Sequence, residues 1–418
     1  MDSIHVHGGV CLQGNVRIQG SKNAALPVLA ATILTKETNV IRNCPRIADV
    51  YQMLSLLESL GCEVCWEEDG VRVDAANVGM RRMPAEAITG MRSSLCLLGA
   101  LIGRTGAVTM EYPGGCVIGA RPIDMHLAAF KRMGVEFCEE DGRIHGSTGQ
   151  GLHGAGILLE KTSVGATENI ILAAVMAEGE TIVHGAAKEP EVQALCQYLQ
   201  QCGARIEGSG TDTLRIEGGH KLYGTDYRVP ADRIVAGTYL FGCLATGGSV
   251  MLEEAPINHM ESSIALARCM GAQCLPASEG LYVQTPEILK NIGILRTAPY
   301  PAFPTDLQSI VLAVLTRVEG QCLIEETIFE NRFRVVEPMN EMGAEIQTLD
   351  TKRAVVTGGT RLQGREVEAK ELRGGAALVV AGLMAEGETV IRGCQYIYRG
   401  YENICKDLRE LGARIYSV

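Results

Sequence analysis

The stretch Tyr112-Pro-Gly-Gly-Cys116-Val-Ile-Gly-Ala-Arg121-Pro-Ile-Asp124 sets a thiol and a guanidinium five residues apart. Gly114, Gly115 and Gly119 free the backbone while Pro113 and Pro122 fix its ends, so the sequence predicts an exposed, hinged loop. A thiol beside a cation has a lowered pKa and is reactive, whereas one in apolar packing is inert. Cys116 is therefore a candidate catalytic group on an active-site lid, set against the reading that most of the chain's 15 cysteines are core filler.

The elements that must position such a loop show themselves as a repeat. A helical pattern ending in a glycine and followed by a strand recurs at Gly61, Gly134, Gly203, Gly271, Gly343 and Gly412, spaced 68 to 73 residues apart. Six units of about 70 residues fill the chain. Each glycine is expected to be left-handed at a helix C-terminus. Each unit also opens with an Ala/Leu-rich helix, starting near Lys22, Arg92, Ser163, Asp232, Asp306 and Arg373. The order within a unit reads helix, strand, helix, strand. A helix with no polar face is buried all round, so these six are expected inside domains, with sheets and amphipathic helices around them.

Equivalent positions of a repeat gather at one end, so Lys22, Arg92, Ser163, Arg233, Asp306 and Arg373 are expected to converge, with Arg121, Arg332 and Arg399 in a second ring where the second helices begin. Read singly, Ser21, Ser163 and Thr305 are N-caps and the arginines are solvated charges. Basic residues recurring at matching offsets in a chain of net charge −11 read instead as a local anion site. The expected ligand is multiply phosphorylated, or carries phosphate and carboxylate.

Composition limits the alternatives. The acidic balance argues against nucleic acid or an anionic membrane as partner. The cysteines form no disulfide framework, which fits a reducing cytoplasm. Cys62 and Cys65 flank strand positions on opposite faces and read as structural. The start Met-Asp-Ser-Ile-His has neither the basic nor the apolar region of a secretory signal, and Ala24 to Leu34 is too short to span a bilayer.

Six motifs in order, Gly20-Ser-Lys22-Asn23-Ala-Ala-Leu-Pro, Pro113-Gly-Gly-Cys116-Val-Ile-Gly-Ala-Arg121-Pro, Lys161-Thr-Ser-Val-Gly165-Ala-Thr, Phe303-Pro-Thr-Asp306-Leu-Gln, Phe329-Glu-Asn-Arg332-Phe and Arg399-Gly-Tyr-Glu402, closely resemble the UDP-N-acetylglucosamine 1-carboxyvinyltransferases, a family of enolpyruvyl transferases. The likeness runs from Met1 to Val418. It implies an α/β fold, a two-domain inside-out α/β barrel with buried parallel helices surrounded by mixed sheets. The implied domains are 1–21 plus 230–418, with three units and Asp306, Arg332, Arg373 and Arg399, and 22–229, with three units and the Cys116 loop.

The resemblance further implies transfer of the enolpyruvyl group of phosphoenolpyruvate to the 3-hydroxyl of UDP-N-acetylglucosamine, releasing phosphate, in peptidoglycan precursor synthesis. Cys116 is implied as proton donor to C3 and as the site of a covalent phosphoenolpyruvate thioketal, and Asp306 as general base. Lys22, Asn23, Arg121, Arg332, Arg373 and Arg399 are implied to bind phosphoenolpyruvate. Arg92, Arg121, Pro122, Ile123, Asp124, Met125, Lys161, Thr162, Ser163, Val164, Gly165, Asp306 and Ile328 are implied to bind the sugar nucleotide. No metal or organic cofactor is implied. Two departures stand out: Glu371 where the family usually has Asp, and Tyr398 where it often has an acid, both expected to alter kinetics rather than abolish activity. The sister transferase acting on shikimate 3-phosphate, and a silent paralogue that binds the nucleotide sugar as a sensor, remain the alternatives. The first lacks this cysteine loop, and the second has no need of an acid and a base.

Overall fold

The computed structural model describes residues 3–79, 91–112 and 123–418. These fall into two compact units, one built from residues 3–19 and 231–418, the other from 20–79, 91–112 and 123–230. Each unit has its own apolar core.

The openings read from the sequence all begin a helix or a 3₁₀ turn. In the second unit these are Lys22–Ala31, then Arg92–Leu95 running into Cys96–Thr105, then Val164–Ala174. In the first they are Arg233–Thr246, then Thr305–Leu307 running into Gln308–Leu315, then Leu372–Met384. Their apolar faces are continuous, so burial is nearly complete: Ile234 to Ala245 are all buried, as are Arg373 to Leu383. Gln308–Leu315 packs on both Leu372–Met384 and Arg233–Thr246, while Cys96–Thr105 packs closely on Val164–Ala174. That last approach requires Gly99, where an added Cβ would lie 2.3 Å from the carbonyl oxygen of Asn169.

Caps fix where these helices start. Ser21 Oγ accepts from the Ala24 N–H (3.4 Å) and Ser163 Oγ from the Ala166 N–H (3.3 Å). Asp232 accepts from Ile234 and Val235, and Glu371 from Arg373 and Gly374. The six recurring glycines all have φ between 87° and 105°, the left-handed turn expected of them.

Amphipathic helices such as Ala48–Leu60, Pro190–Gln201 and Ile404–Glu410 alternate with the sheets. Five sheets of four strands and one of three are present among the described residues. Each four-stranded sheet is mixed. In one, Glu180–His184 runs parallel to Gly156–Leu158 and antiparallel to Thr213–Glu217, which also pairs antiparallel with Arg205–Glu207. Every one of these sheets is open. Cys62 is buried just before the strand Glu63–Glu67 and Cys65 is exposed on it, the opposite-face placement read from their spacing. Burial pushes the Cys62 thiol up to about 12, which leaves it unreactive. No described helix is long and apolar enough to cross a membrane.

Candidate active site

In the first unit Asp306, Arg332 and Arg373 come together, although 67 residues separate the outer two. Asp306 sits in the 3₁₀ turn that precedes the buried helix Gln308–Leu315. Its Oδ1 accepts from Arg332 Nη2, and its Oδ2 lies 3.1 Å from Arg373 Nη2. Both arginine residues are 3% exposed. Burial alone would raise the Asp306 carboxyl, but Arg373 and Arg332 overturn that and hold it far below the usual carboxylate range.

Each arginine is fixed by further contacts. Arg332 Nε donates to Thr305 Oγ (3.2 Å), its Nη1 lies 3.5 Å from Glu371 Oε2, and its guanidinium stands over the Phe329 ring. Arg373 lies over Tyr401, whose hydroxyl bonds Thr238 Oγ at 2.8 Å. Among the described residues Arg373 Nη1 is buried with no hydrogen-bond partner. Arg399 ends the 3₁₀ turn Cys394–Arg399 in the same unit, and Ile328 is half-buried on a turn braced by Glu326.

The departure at Glu371 is accommodated. Its carboxylate accepts from the backbone N–H groups of Arg373 and Gly374, so the longer side chain both caps the helix that carries Arg373 and reaches Arg332. Tyr398 is half-buried against the core of this unit.

The second unit carries the other group of predicted residues. Lys22, 9% exposed, has its ammonium 2.6 Å from Oδ2 of Asp49, which is 2% exposed. Asp49 lies in the first turn of Ala48–Leu60, where the helix dipole favours its charge. Asn23 is half-buried beside Lys22. Arg92 is half-buried at the start of its 3₁₀ turn, and its charge acts on His126. Burial first, then Arg92, lowers the His126 imidazole to about 4 against a smaller opposing pull from Asp124, so the ring is neutral at pH 7. Asn169 Nδ2 lies 3.1 Å from His126 Nδ1, and Asn169 Oδ1 accepts from the Gly99 N–H at 2.7 Å. Since an amide nitrogen only donates, Nδ1 accepts and the ring proton sits on Nε2.

Asp124 and Met125 open the helix Asp124–Arg132, with Ile123 buried before it. Lys161 and Thr162 are exposed, and Val164 and Gly165 form the first turn behind the Ser163 cap. One turn further, Glu168 is 6% exposed and accepts a thiol contact from Cys96 (3.6 Å). Burial raises its carboxyl to about 8, helped by Glu191 and Glu189 and opposed by Cys96.

Cys116, Arg121 and Pro122 lie outside the described residues. Ser21 and Ser163 are N-caps. Thr305 is not, and neither is Asp306: the turn is entered from Pro304 without a side-chain cap, because Thr305 Oγ donates to Glu326 Oε2 (2.9 Å) and accepts from Arg332. Sequence reasoning missed Asp49, His126, Asn169 and Glu326. None follows from periodicity, since each acts through a partner far along the chain. Glu168 did carry a signal, as a lone carboxylate inside the apolar run Val164–Ala174.

The family described as EPSP synthase (3-phosphoshikimate 1-carboxyvinyltransferase) matches residues 6–408. The chain is 44% identical over 418 residues to UDP-N-acetylglucosamine 1-carboxyvinyltransferase 2 of Caldanaerobacter subterraneus subsp. tengcongensis, covering all of both chains. It is 42% identical over 419 residues to UDP-N-acetylglucosamine 1-carboxyvinyltransferase 1 of Halalkalibacterium halodurans, covering all of this chain and 95% of that one. In fold it is similar to the enolpyruvyl transferase NikO from Streptomyces tendae, with a TM-score of 0.88 at 23% identity over 100% of this chain and 99% of that one. It is also similar to EPSP synthase from Acinetobacter baumannii, with a TM-score of 0.77 at 20% identity over the whole of both.

Proposed function

The chain belongs to the EPSP synthase family and, within it, to the UDP-N-acetylglucosamine 1-carboxyvinyltransferases, and we propose from this that it transfers the enolpyruvyl group of phosphoenolpyruvate to the 3-hydroxyl of UDP-N-acetylglucosamine. Phosphate is released, and the product feeds peptidoglycan precursor synthesis in the cytoplasm. The observation that carries this reading is the Asp306, Arg332 and Arg373 cluster. It offers a carboxylate to take a proton and two buried guanidinium groups to receive an anion, one with a donor to spare.

The cluster also explains how such a base is switched on. An aspartate held far below its usual range by two arginines is a weak base. An incoming phosphate or carboxylate competes for the same N–H groups, and as the arginines turn to it the Asp306 carboxyl is released toward ordinary basicity. Asp306 then takes the sugar hydroxyl proton as the oxygen attacks C2 of phosphoenolpyruvate, while Cys116 protonates C3. The tetrahedral adduct loses phosphate and a C3 proton to restore the enol ether. Lys22, Asn23, Arg121, Arg332, Arg373 and Arg399 hold phosphoenolpyruvate. The sugar nucleotide is held by Arg92, by Arg121 to Met125, by Lys161 to Gly165 and by Ile328. Cys116 also forms the thioketal with phosphoenolpyruvate.

In architecture the reading is a two-domain inside-out α/β barrel of six repeat units, three to a domain, with domains 1–21 plus 230–418 and 22–229. The test is phosphate release from phosphoenolpyruvate with each acceptor in turn. Release with UDP-N-acetylglucosamine and none with shikimate 3-phosphate is expected. Binding of the nucleotide sugar without release would refute the transferase reading.

A further inference from the structure

Glu326 is 1% exposed, and its carboxylate joins two turns. Oε1 accepts from the backbone N–H groups of Ile328 (2.8 Å) and Phe329 (3.1 Å), which bends the chain into the turn that presents Ile328. Oε2 accepts from Thr305 Oγ (2.9 Å), 21 residues away and next to Asp306. The same Thr305 oxygen accepts from Arg332 Nε (3.2 Å), and Arg332 Nη2 donates to Asp306. A carboxylate that only finished a local turn would need Ile328 and Phe329 alone. The bond to Thr305 is a second function, and it fixes the direction of every proton in the chain. The Thr305 hydroxyl donates to Glu326, which leaves a lone pair facing Arg332.

We propose that Glu326 is a positioning residue for the transfer reaction, setting through Thr305 the guanidinium of Arg332 and the Asp306 carboxylate, and through its other oxygen the Ile328 turn. The inference rests on the functional reading above. It assigns a role in the reaction to a buried side chain that touches neither reacting centre.

The isosteric change E326Q tests it, because the two arms respond differently. With its carbonyl at the Oε1 position Gln keeps both backbone N–H bonds, so the Ile328 turn persists. Its amide nitrogen then faces Thr305 and can only donate, so the hydroxyl hydrogen must turn away from residue 326. The oxygen must then share its two lone pairs between the amide and Arg332, which shifts it from its present setting. Displacements of this kind at a reacting group cost up to about 100-fold. The expected result is a kcat roughly 10- to 100-fold below wild type, with KM for UDP-N-acetylglucosamine changed by less than about threefold. T305V should show the same kcat loss, T305S should recover most of it, and the double variant E326Q/T305V should lose no more than the worse single variant. The contrast between T305V and T305S keeps the proposal testable even where E326Q folds poorly.

A kcat for E326Q within twofold of wild type would overturn the proposal. So would losses that multiply in the double variant, or a T305S as impaired as T305V. A wild-type protein that releases no phosphate overturns the functional reading and this role with it. A competent wild type beside an unimpaired E326Q overturns the positioning role alone.

Discussion

Replacing Asp306 by Asn removes the charge that occupies Arg332 and Arg373 while keeping the size of the side chain, and it should drive turnover and anion binding in opposite directions. Arg373 Nη2 lies 3.1 Å from the Asp306 carboxylate. Two unit charges at that separation attract by ~5 kcal/mol at an effective dielectric constant of about 20. The Asp306 side chain is 24% exposed and Asn retains a carbonyl acceptor. The part released to a competing anion is therefore smaller, on the order of 1–2 kcal/mol, and 1.4 kcal/mol is about tenfold in affinity. Inorganic phosphate and phosphoenolpyruvate should each bind D306N about tenfold more tightly than wild type at equal ionic strength. Phosphate release should fall by ~10²- to 10⁴-fold because the base is gone. Titration calorimetry gives the first quantity and single-turnover phosphate release the second, with circular dichroism to establish that the variant is folded. Unchanged or weaker anion binding would refute the competition between substrate and carboxylate, and near-normal turnover would refute the base role.

Other groups give independent checks. Glu168 keeps its proton up to about 8 in the folded chain, whereas the unfolded chain releases it near the ordinary 4.5. The folded state thus binds more protons between these values, so stability falls as pH rises through that window, by on the order of 3–5 kcal/mol above pH 8. E168Q should remove the slope, raising denaturant resistance at pH 9 and leaving it nearly unchanged at pH 5; equal effects at both would refute the buried-acid account. His126, lowered to about 4, should keep a neutral imidazole by NMR at pH 5.5, and its contribution to stability should be lost as pH falls from 6.5 toward 4; a titration midpoint near 6.5 would show that it is not buried as described. Fosfomycin, an epoxide that resembles phosphoenolpyruvate, should alkylate Cys116, with the adduct found by peptide mass spectrometry; an adduct on another cysteine would refute the reactive-loop reading.

The sequence exposes the helix starts because a start needs a cap that only a few side chains supply. Ser21, Ser163 and Asp232 each precede a largely apolar run, and a run with no continuous polar face is buried nearly all round. The glycines after the second helices are legible for a similar reason, since left-handed backbone selects for them. Pairings are a different kind of information. Lys22 with Asp49, and Thr305 with Glu326, join residues 27 and 21 positions apart by contacts that no periodicity encodes. Thr305 illustrates the limit: a threonine before an apolar run looks like a cap, and only the position of Glu326 shows that its hydroxyl is already committed elsewhere. The identities of Asp306, Arg332 and Arg373 were legible, but their mutual neutralisation was not, and it is that neutralisation which shapes the chemistry.

That neutralisation follows from burial. Two arginines that are each 3% exposed would be strongly destabilising if left without counter-charge. Asp306 and Glu371 supply it, with Glu371 reaching Arg332 at 3.5 Å as well as capping the helix that bears Arg373. Two arginines and two carboxylates make the resting cluster formally neutral, so a ligand cannot simply fall onto waiting positive charge. It has to displace a carboxylate, and only an anion that offers at least as many well-placed acceptors as Asp306 does so, which disfavours a spherical monovalent ion. Glu371 is the harder of the two to displace, because two backbone N–H groups hold it to its own helix. Asp306 caps no backbone N–H of its turn, so on the proposed reading it is the carboxylate that yields. On the proposed reading, recognition of the substrate anion and activation of Asp306 as the base are one event, and proton abstraction waits until phosphoenolpyruvate has arrived.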